Sequence, residues 1–244
     1  APILEQGNRG RDNDQANAVA VDVFGQAYVV GETSSANFPT VFPWISSLGG
    51  PRDAFHFKIG VNGNVSYSTY IGGNGDDRAT SVAVLTTLTP YVAGCTGSTN
   101  FPTRLAQQST LRGSQDGFVL RFLPDADNVI YSTYLGGNSG STGLAECING
   151  IALDSFNNIY AAGVTTSLTG FPIQAAVQNT HNGGTYDGFL TKLDSDGYML
   201  YSTFIGGSGS DLAMSVKVDS ARRAVVTGYT ASKNFPVYNP IQSI

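Results

Sequence analysis

Apolar and polar positions alternate along this chain in short bursts, and Gly, Asn, Asp and Pro punctuate them. Val19-Ala20-Val21, Val82-Ala83-Val84, Ile151-Ala152-Leu153 and Val216-Lys217-Val218 are four such bursts. Each is rich in β-branched residues and bounded by turn residues, which is the pattern of a strand. No segment sustains the 3.6-residue period of an amphipathic helix.

The bursts recur in a fixed order. After each alternating strand comes one that ends in glycine: Ala27-Tyr28-Val29-Val30-Gly31, Tyr91-Val92-Ala93-Gly94, Tyr160-Ala161-Ala162-Gly163 and Val225-Val226-Thr227-Gly228. The four closing glycines are 63, 69 and 65 residues apart. A Ser/Thr-rich turn and a Phe-Pro pair follow each one, at Phe38, Phe101, Phe171 and Phe235. Next comes an Asp-small-Phe strand beginning at Asp53, Asp116 and Asp187. Last comes an aromatic strand, Tyr67-Ser68-Thr69-Tyr70, Tyr131-Ser132-Thr133-Tyr134 and Tyr201-Ser202-Thr203-Phe204, closed by Gly-Gly. Asp22-Val23-Phe24-Gly25 and Asp194-Ser195-Asp196-Gly197 read as hairpin turns. Four short strands repeated at this spacing make a propeller blade, because a lone blade cannot cover both its faces and stacked blades cover each other.

The Tyr-Ser-Thr-Tyr-Leu-Gly-Gly string at Tyr131–Gly137, the Ala-Val-Asp strand at Ala20–Asp22 and the Asp-Ala-Phe at Asp53–Phe55 carry a likeness. In these motifs the chain resembles the bacterial β-propeller repeat family, with SBBP-type repeats. The resemblance spans residues 14 to 240 in four copies. It implies secretion or a cell-surface location in a bacterium or archaeon, and it implies no catalytic residues. The expected fold is all-β, a β-propeller of about four four-stranded blades with the last incomplete. The expected organisation is one domain over residues 1–244. Its repeats lie near 14–73, 74–137, 138–207 and 208–244, with an N-terminal strand at 1–7.

The strand count carries a mismatch. The first two strand types occur four times and the last two only three times. An unfinished blade leaves an open edge, which is a template for pairing with another chain. Three readings stay open: a ring closed on a reduced blade, a piece of a longer propeller, or a gap filled by a neighbouring copy. A head-to-tail contact that does not close builds filaments. Ala1, Pro2, Ile3, Leu4, Glu5 and Gln6 form the candidate assembly strand, being terminal, with Ile3 and Leu4 leading into polar residues.

Composition narrows the partners. The net charge is −5, with 13 basic residues scattered through the chain. A nucleic-acid binder needs a basic stripe that displaces counterions, so nucleic acid is not expected. No run reaches the about 18 apolar residues that span a bilayer as a helix, so membrane insertion is not expected. Charged residues make up only 13%, and Ser, Thr and Asn take their surface role, which suits an extracellular setting. Cys95 and Cys147 are the only cysteines, and an even pair in a secreted chain reads as a disulfide.

The candidate chemical groups give no active site. His56 alternates with Phe55 and Phe57, which suggests a strand-surface position. His181 lies in a loop, and two histidines in different repeat positions do not supply a zinc site. Asp76, Asp77, Asp211, Asp12 and Asp14 sit in the connections between blades. The third copy of that connection, Ser139–Thr142, has no acid, and none of Glu5, Glu32 and Glu146 recurs. These acids, with Asp53, Asp116 and Asp187, are expected to accept backbone N–H groups rather than bind calcium. No Gly-x-Ser-x-Gly elbow is present, and no glycine loop leads into a helix as phosphate binding requires. The paired aromatics of the last strand could stack on sugars, but their spacing sends at least one ring of each pair between blades. Trp44 has no counterpart in the other copies and is a candidate contact aromatic. Asn64-Val65-Ser66 matches the N-glycosylation pattern.

No cofactor or metal is expected, and no enzymatic activity. The expected function is that of a non-catalytic extracellular structural protein. It would self-assemble, as a surface filament subunit completed by a neighbour's strand. The alternative is a cell-surface module that binds glycans or other proteins.

Overall fold

The computed structural model describes residues 12–85, 87–138 and 146–241. Among them are fourteen strands and no helix. The first sheet runs β1 (Asp14–Val21), β2 (Ala27–Thr33), β3 (Asp53–Ile59) and β4 (Val65–Ile71) in chain order. The second runs β5 (Asp77–Ala83), β6 (Tyr91–Thr96), β7 (Asp116–Phe122) and β8 (Val129–Leu135). The third runs β9 (Cys147–Leu153), β10 (Ile159–Thr165), β11 (Asp187–Leu193) and β12 (Met199–Ile205). The fourth has only β13 (Asp211–Val218) and β14 (Ala224–Thr230). The chain is an all-β propeller whose last blade is incomplete among the described residues. Its contacts divide into two compact units, one built on the first two sheets and the other on the last two.

Local chemistry sets the strand ends. Asp22 closes the first hairpin by accepting the Phe24 and Gln26 N–H groups on Oδ1, while Gly25 takes the left-handed φ of +81° that the turn needs. Asp154 and Asp194 repeat this bond pattern two blades on. Each first strand carries a register shift against its partner, at Ala16/Ala18 in β1, Ala79/Ser81 in β5 and Ala213/Ser215 in β13. A bulge at this place re-aims the strand's opening residues, which are the acids described below.

Packing follows the repeat. In the first unit Tyr28, Val30, Ala79, Val82, Phe118 and Phe122 share one buried cluster. In the second unit Tyr160, Ala162, Ala213 and Val216 do the same. Full burial of each large side chain stabilises by about 2 kcal/mol. In the first three blades the phenylalanine of the Phe-Pro pair packs on that of the Asp-small-Phe strand: Phe38 stacks on Phe55 at 4.7 Å, and Phe101 on Phe118 at 4.7 Å and Phe171 on Phe189 at 4.9 Å meet tilted. The aromatic strand then pins this turn. The Tyr70 hydroxyl accepts the Phe38 N–H at 3.0 Å and donates to the Ser35 carbonyl at 2.7 Å. Tyr134 does the same for Phe101 and Ser98.

His56 departs from its expected surface position. It does lie on the face opposite Phe55 and Phe57, but that face is covered too, and the ring is fully buried. Alternation separates inside from outside only where one face of the sheet meets water. In β3 both faces are packed. His56 Nδ1 faces the Val29 carbonyl at 3.1 Å, Nε2 faces the Tyr67 hydroxyl at 2.8 Å, and the ring stacks on Phe122 at 5.3 Å. Burial holds its pKa down at about 4, so it is a neutral, hydrogen-bonded core residue.

Candidate functional site

Every blade opens on an acid. In the second blade Asp77 Oδ2 accepts the Gly73 N–H at 2.8 Å and the Ser98 hydroxyl at 2.6 Å. In the fourth, Asp211 Oδ2 accepts Gly207 N–H and the Ser232 hydroxyl, both at 2.7 Å. In the first, Asp14 takes the Thr33 hydroxyl. The third blade corrects the sequence reading. Glu146 fills the acid's place there, accepting the Gly137 N–H on Oε2 and the Thr165 hydroxyl on Oε1. A longer connection and a change from Asp to Glu conceal the equivalence in the sequence. The partner is a Gly-x-Thr-x-Ser string that closes each glycine strand, at Gly31, Gly94, Gly163 and Gly228. Its serine N–H bonds to its own threonine hydroxyl in all four copies. That string was legible in the sequence and carries the signal for these acids.

A second acid stands across each junction. Asp53, Asp116 and Asp187 open the third strands and are fully buried. Asp53 accepts the Gly49 N–H at 2.9 Å and the Gly50 N–H at 3.3 Å, the bonding expected of it. At Gly72 and Gly136 the first glycine of the Gly-Gly leaves room for both carboxyls. A Cβ on Gly72 would lie 2.7 Å from Asp53 Oδ1 and 2.7 Å from Asp77 Oδ2. A Cβ on Gly136 would lie 2.4 Å from Asp116 Oδ1 and from Glu146 Oε2. Burial pushes Asp53 up to about 6, against the pull of the Gly49 N–H, and the charge of Asp77 adds to the rise. Burial raises Asp77 and Asp187 as well. These are closed pairs that hold backbone together. No group of three or more His, Cys, Asp or Glu among the described residues could hold a metal ion.

The remaining candidates separate clearly. Cys95 and Cys147 are both buried and disulfide-bonded. His181 is a buried loop residue, its Nδ1 accepting the Gly183 N–H at 3.3 Å and lying 4.0 Å from Asp187 Oδ2. Trp44 is half-buried, its ring meeting Phe122 edge-on at 5.6 Å, so part of the indole is engaged inside the molecule. Both rings of the Tyr67/Tyr70 and Tyr131/Tyr134 pairs are buried, which takes them away from any sugar-stacking surface. Asn64 is exposed in its hairpin turn. Ala1, Pro2, Ile3, Leu4, Glu5 and Gln6 lie outside the described residues.

The fourth blade is where the repeat is unfulfilled. β14 is largely exposed, whereas its counterparts β6 and β10 are buried along their whole length. Val225 is 57% exposed at the position that Tyr160 fills in β10, where exposure is 1%. No third strand pairs with β14 among the described residues. In its place lies a groove of about 360 Å³ lined by Ala213, Val226, Gly228, Tyr229 and Phe235. In the complete blades, the phenylalanine of the Asp-small-Phe strand occupies this space. Phe55 and Phe189 lie against Gly31 and Gly163 there. A second groove of about 690 Å³ runs between residues 177–182 and Tyr238, which is 92% exposed. In the first blade, Val19 is 63% exposed, while its counterpart Val82 is 8% exposed.

Two segments, residues 4–39 and 130–172, match the SBBP beta-propeller repeat family. No curated protein matches the chain. No helix among the described residues is long and apolar enough to cross a membrane, and the disulfide fits a non-cytoplasmic environment.

Proposed function

Since the chain carries beta-propeller repeats of the SBBP family, we propose that it is a non-catalytic extracellular structural module that assembles with copies of itself. A neighbour's strand completes the fourth blade, and Ala1–Gln6 is the proposed donor. The observation that carries this reading is the exposed β14, with an apolar groove where three other blades hold a paired strand. Strand addition supplies a row of main-chain hydrogen bonds together with a pocket for alternate side chains. Donor and acceptor are different segments of the chain, so a head-to-tail contact that does not close propagates into a filament.

The test is native mass by light scattering across a dilution series, with electron micrographs of the same samples. Mass is expected to rise with concentration and filaments to appear. Deleting Ala1–Gln6 is expected to abolish both and leave the melting temperature unchanged. A monomer at the highest concentration, or assembly that survives the deletion, sinks this reading.

A second reading is a surface module that binds glycans or other proteins, favoured by the larger groove beside the exposed Tyr238. Its expected result is glycan-array binding that a Tyr238→Ala variant loses. An array without signal removes the glycan form of it.

A further inference from the structure

We propose that Asp53 and Asp77 share one proton, so that the junction between the first two blades is a proton-dependent lock that loosens toward neutral pH. The geometry is that of two carboxyls held against each other in a dry place. Both side chains are fully buried. Asp53 Oδ1 and Asp77 Oδ2 are each 2.7 Å from one point above Gly72, so they lie no farther apart than twice that distance. Asp77 Oδ2, the oxygen that faces Asp53, accepts from Gly73 and Ser98, and the Thr96 hydroxyl also acts on Asp77, so burial pushes its pKa up while these bonds pull it down. Two buried like charges at this range cannot both ionise at low cost, and a single proton between them removes one charge while supplying a donor. The arrangement recurs where Asp116 and Glu146 meet over Gly136, and where the charge of Asp211 acts on Asp187. The last pair has His181 beside it, so the first pair is the simplest case.

The surrounding charges leave the proton as the neutralising group. Arg52 and Arg78, next in sequence to the two acids, extend to Glu32 at 3.2 and 3.8 Å and are about half exposed. From β4, Tyr70 faces Asp53 as a neutral phenol, its pKa raised by burial. From β1, Asp14 adds a further negative charge on that phenol. Asp76, beside Asp77, is negative too and raises it further. His56 on β3 points to Val29 and Tyr67 instead.

The direction of the effect follows from the raised carboxyls. Asp53 holds its proton up to about 6 when folded, against 3.8 as the ordinary value. Its contribution to stability is complete below the ordinary value and is lost as pH rises through about 6. His56 acts oppositely in part of this window, because its folded value is depressed to about 4 from 6.5. A comparison between variants is therefore needed.

Asp77→Asn removes one carboxyl of the pair and keeps a side-chain oxygen to accept from Gly73 and Ser98. The experiment uses the full chain, with infrared titration of protonated carboxyl groups and thermal melts from pH 4 to 8. In the wild type a protonated carboxyl band is expected at pH 6, where an ordinary aspartate is ionised. In Asp77→Asn the midpoint of that band is expected to move to lower pH. Between pH 4 and 7 the wild type is expected to lose roughly 5 °C of melting temperature relative to the variant. No protonated band above pH 5 overturns the proposal, as does a midpoint that the variant leaves in place. The pairs at Asp116/Glu146 and Asp187/Asp211 add to the wild-type band, so if Asp77→Asn does not fold, Asp53→Asn tests the same pair, and a band that it leaves at full amplitude overturns the proposal. Neither readout depends on assembly.

Discussion

Gly31→Ala is expected to leave the first blade unable to fold, with loss of soluble protein or a fall of more than about 4 kcal/mol in stability. The new Cβ would sit 1.9 Å from the Gln15 carbonyl oxygen and 2.9 Å from the Ala16 Cα. Both are main-chain atoms of the neighbouring strand, so relief requires β1 to move away from β2. It would also sit 2.7 Å from Phe55 Cζ, the ring that fills this space from the third strand. β1 and Phe55 close on Gly31 from two sides, and neither can yield without unpairing a strand or opening the stack on Phe38. The same position repeats at Gly94, Gly163 and Gly228, where a Cβ would meet a first-strand carbonyl at 1.9, 2.0 and 1.8 Å. Gly63→Asn is the control. Gly63 has φ +79° with nothing within 4 Å, and Asn tolerates that conformation. Its melting temperature is expected to stay near that of the wild type. Urea titrations followed by circular dichroism check both. A Gly31→Ala protein that unfolds at the wild-type midpoint would remove the steric account of the closing glycine.

That glycine was readable in the sequence because its cause is local and repeated four times. The same holds for the Phe-Pro turn, the aromatic strand and the acids entering the third strands, where each residue type serves one contact that every blade must make. What could not be read were the features set by neighbours distant in sequence. His56 alternates like a surface residue, and only the packing of Phe122 and Tyr67 on its other side makes it a core residue. Glu146 sits in a connection of different length and is one methylene longer than the aspartates it replaces. The equivalence appears once Gly137 and Thr165 are seen to bond it. Trp44 looked like a contact residue because it is unique, and its edge contact with Phe122 is likewise made across the fold. The pairing of Asp53 with Asp77 belongs to the same class. Each acid was read singly as a backbone acceptor, which it is, but strand alternation carries no information about a carboxyl from the next blade. The unfinished fourth blade was visible from counting alone. The groove beside Phe235 adds the shape of what is missing there.

Removing both cysteines is expected to lower stability by about 4 kcal/mol, the loop-closure value for a bridge between residues 95 and 147. For a chain of this length the Cys95→Ser/Cys147→Ser variant should melt roughly 8–16 °C below the wild type. The effect is large because the bridge chiefly restricts the unfolded chain, and the restriction grows with the length of chain enclosed. Both sulfurs are buried, so reductant acts slowly on the folded protein, and the comparison must include protein reduced while unfolded and then refolded. The refolded, reduced wild type is expected to match the double variant. A single Cys95→Ala variant is expected to expose one titratable thiol on unfolding, where the oxidised wild type exposes none. If the double variant melts with the wild type, the bridge encloses no freedom that the unfolded chain had, and the stability of this propeller rests on blade packing alone. In that case the raised carboxyls and the closing glycines, not the disulfide, would set the temperature at which it opens.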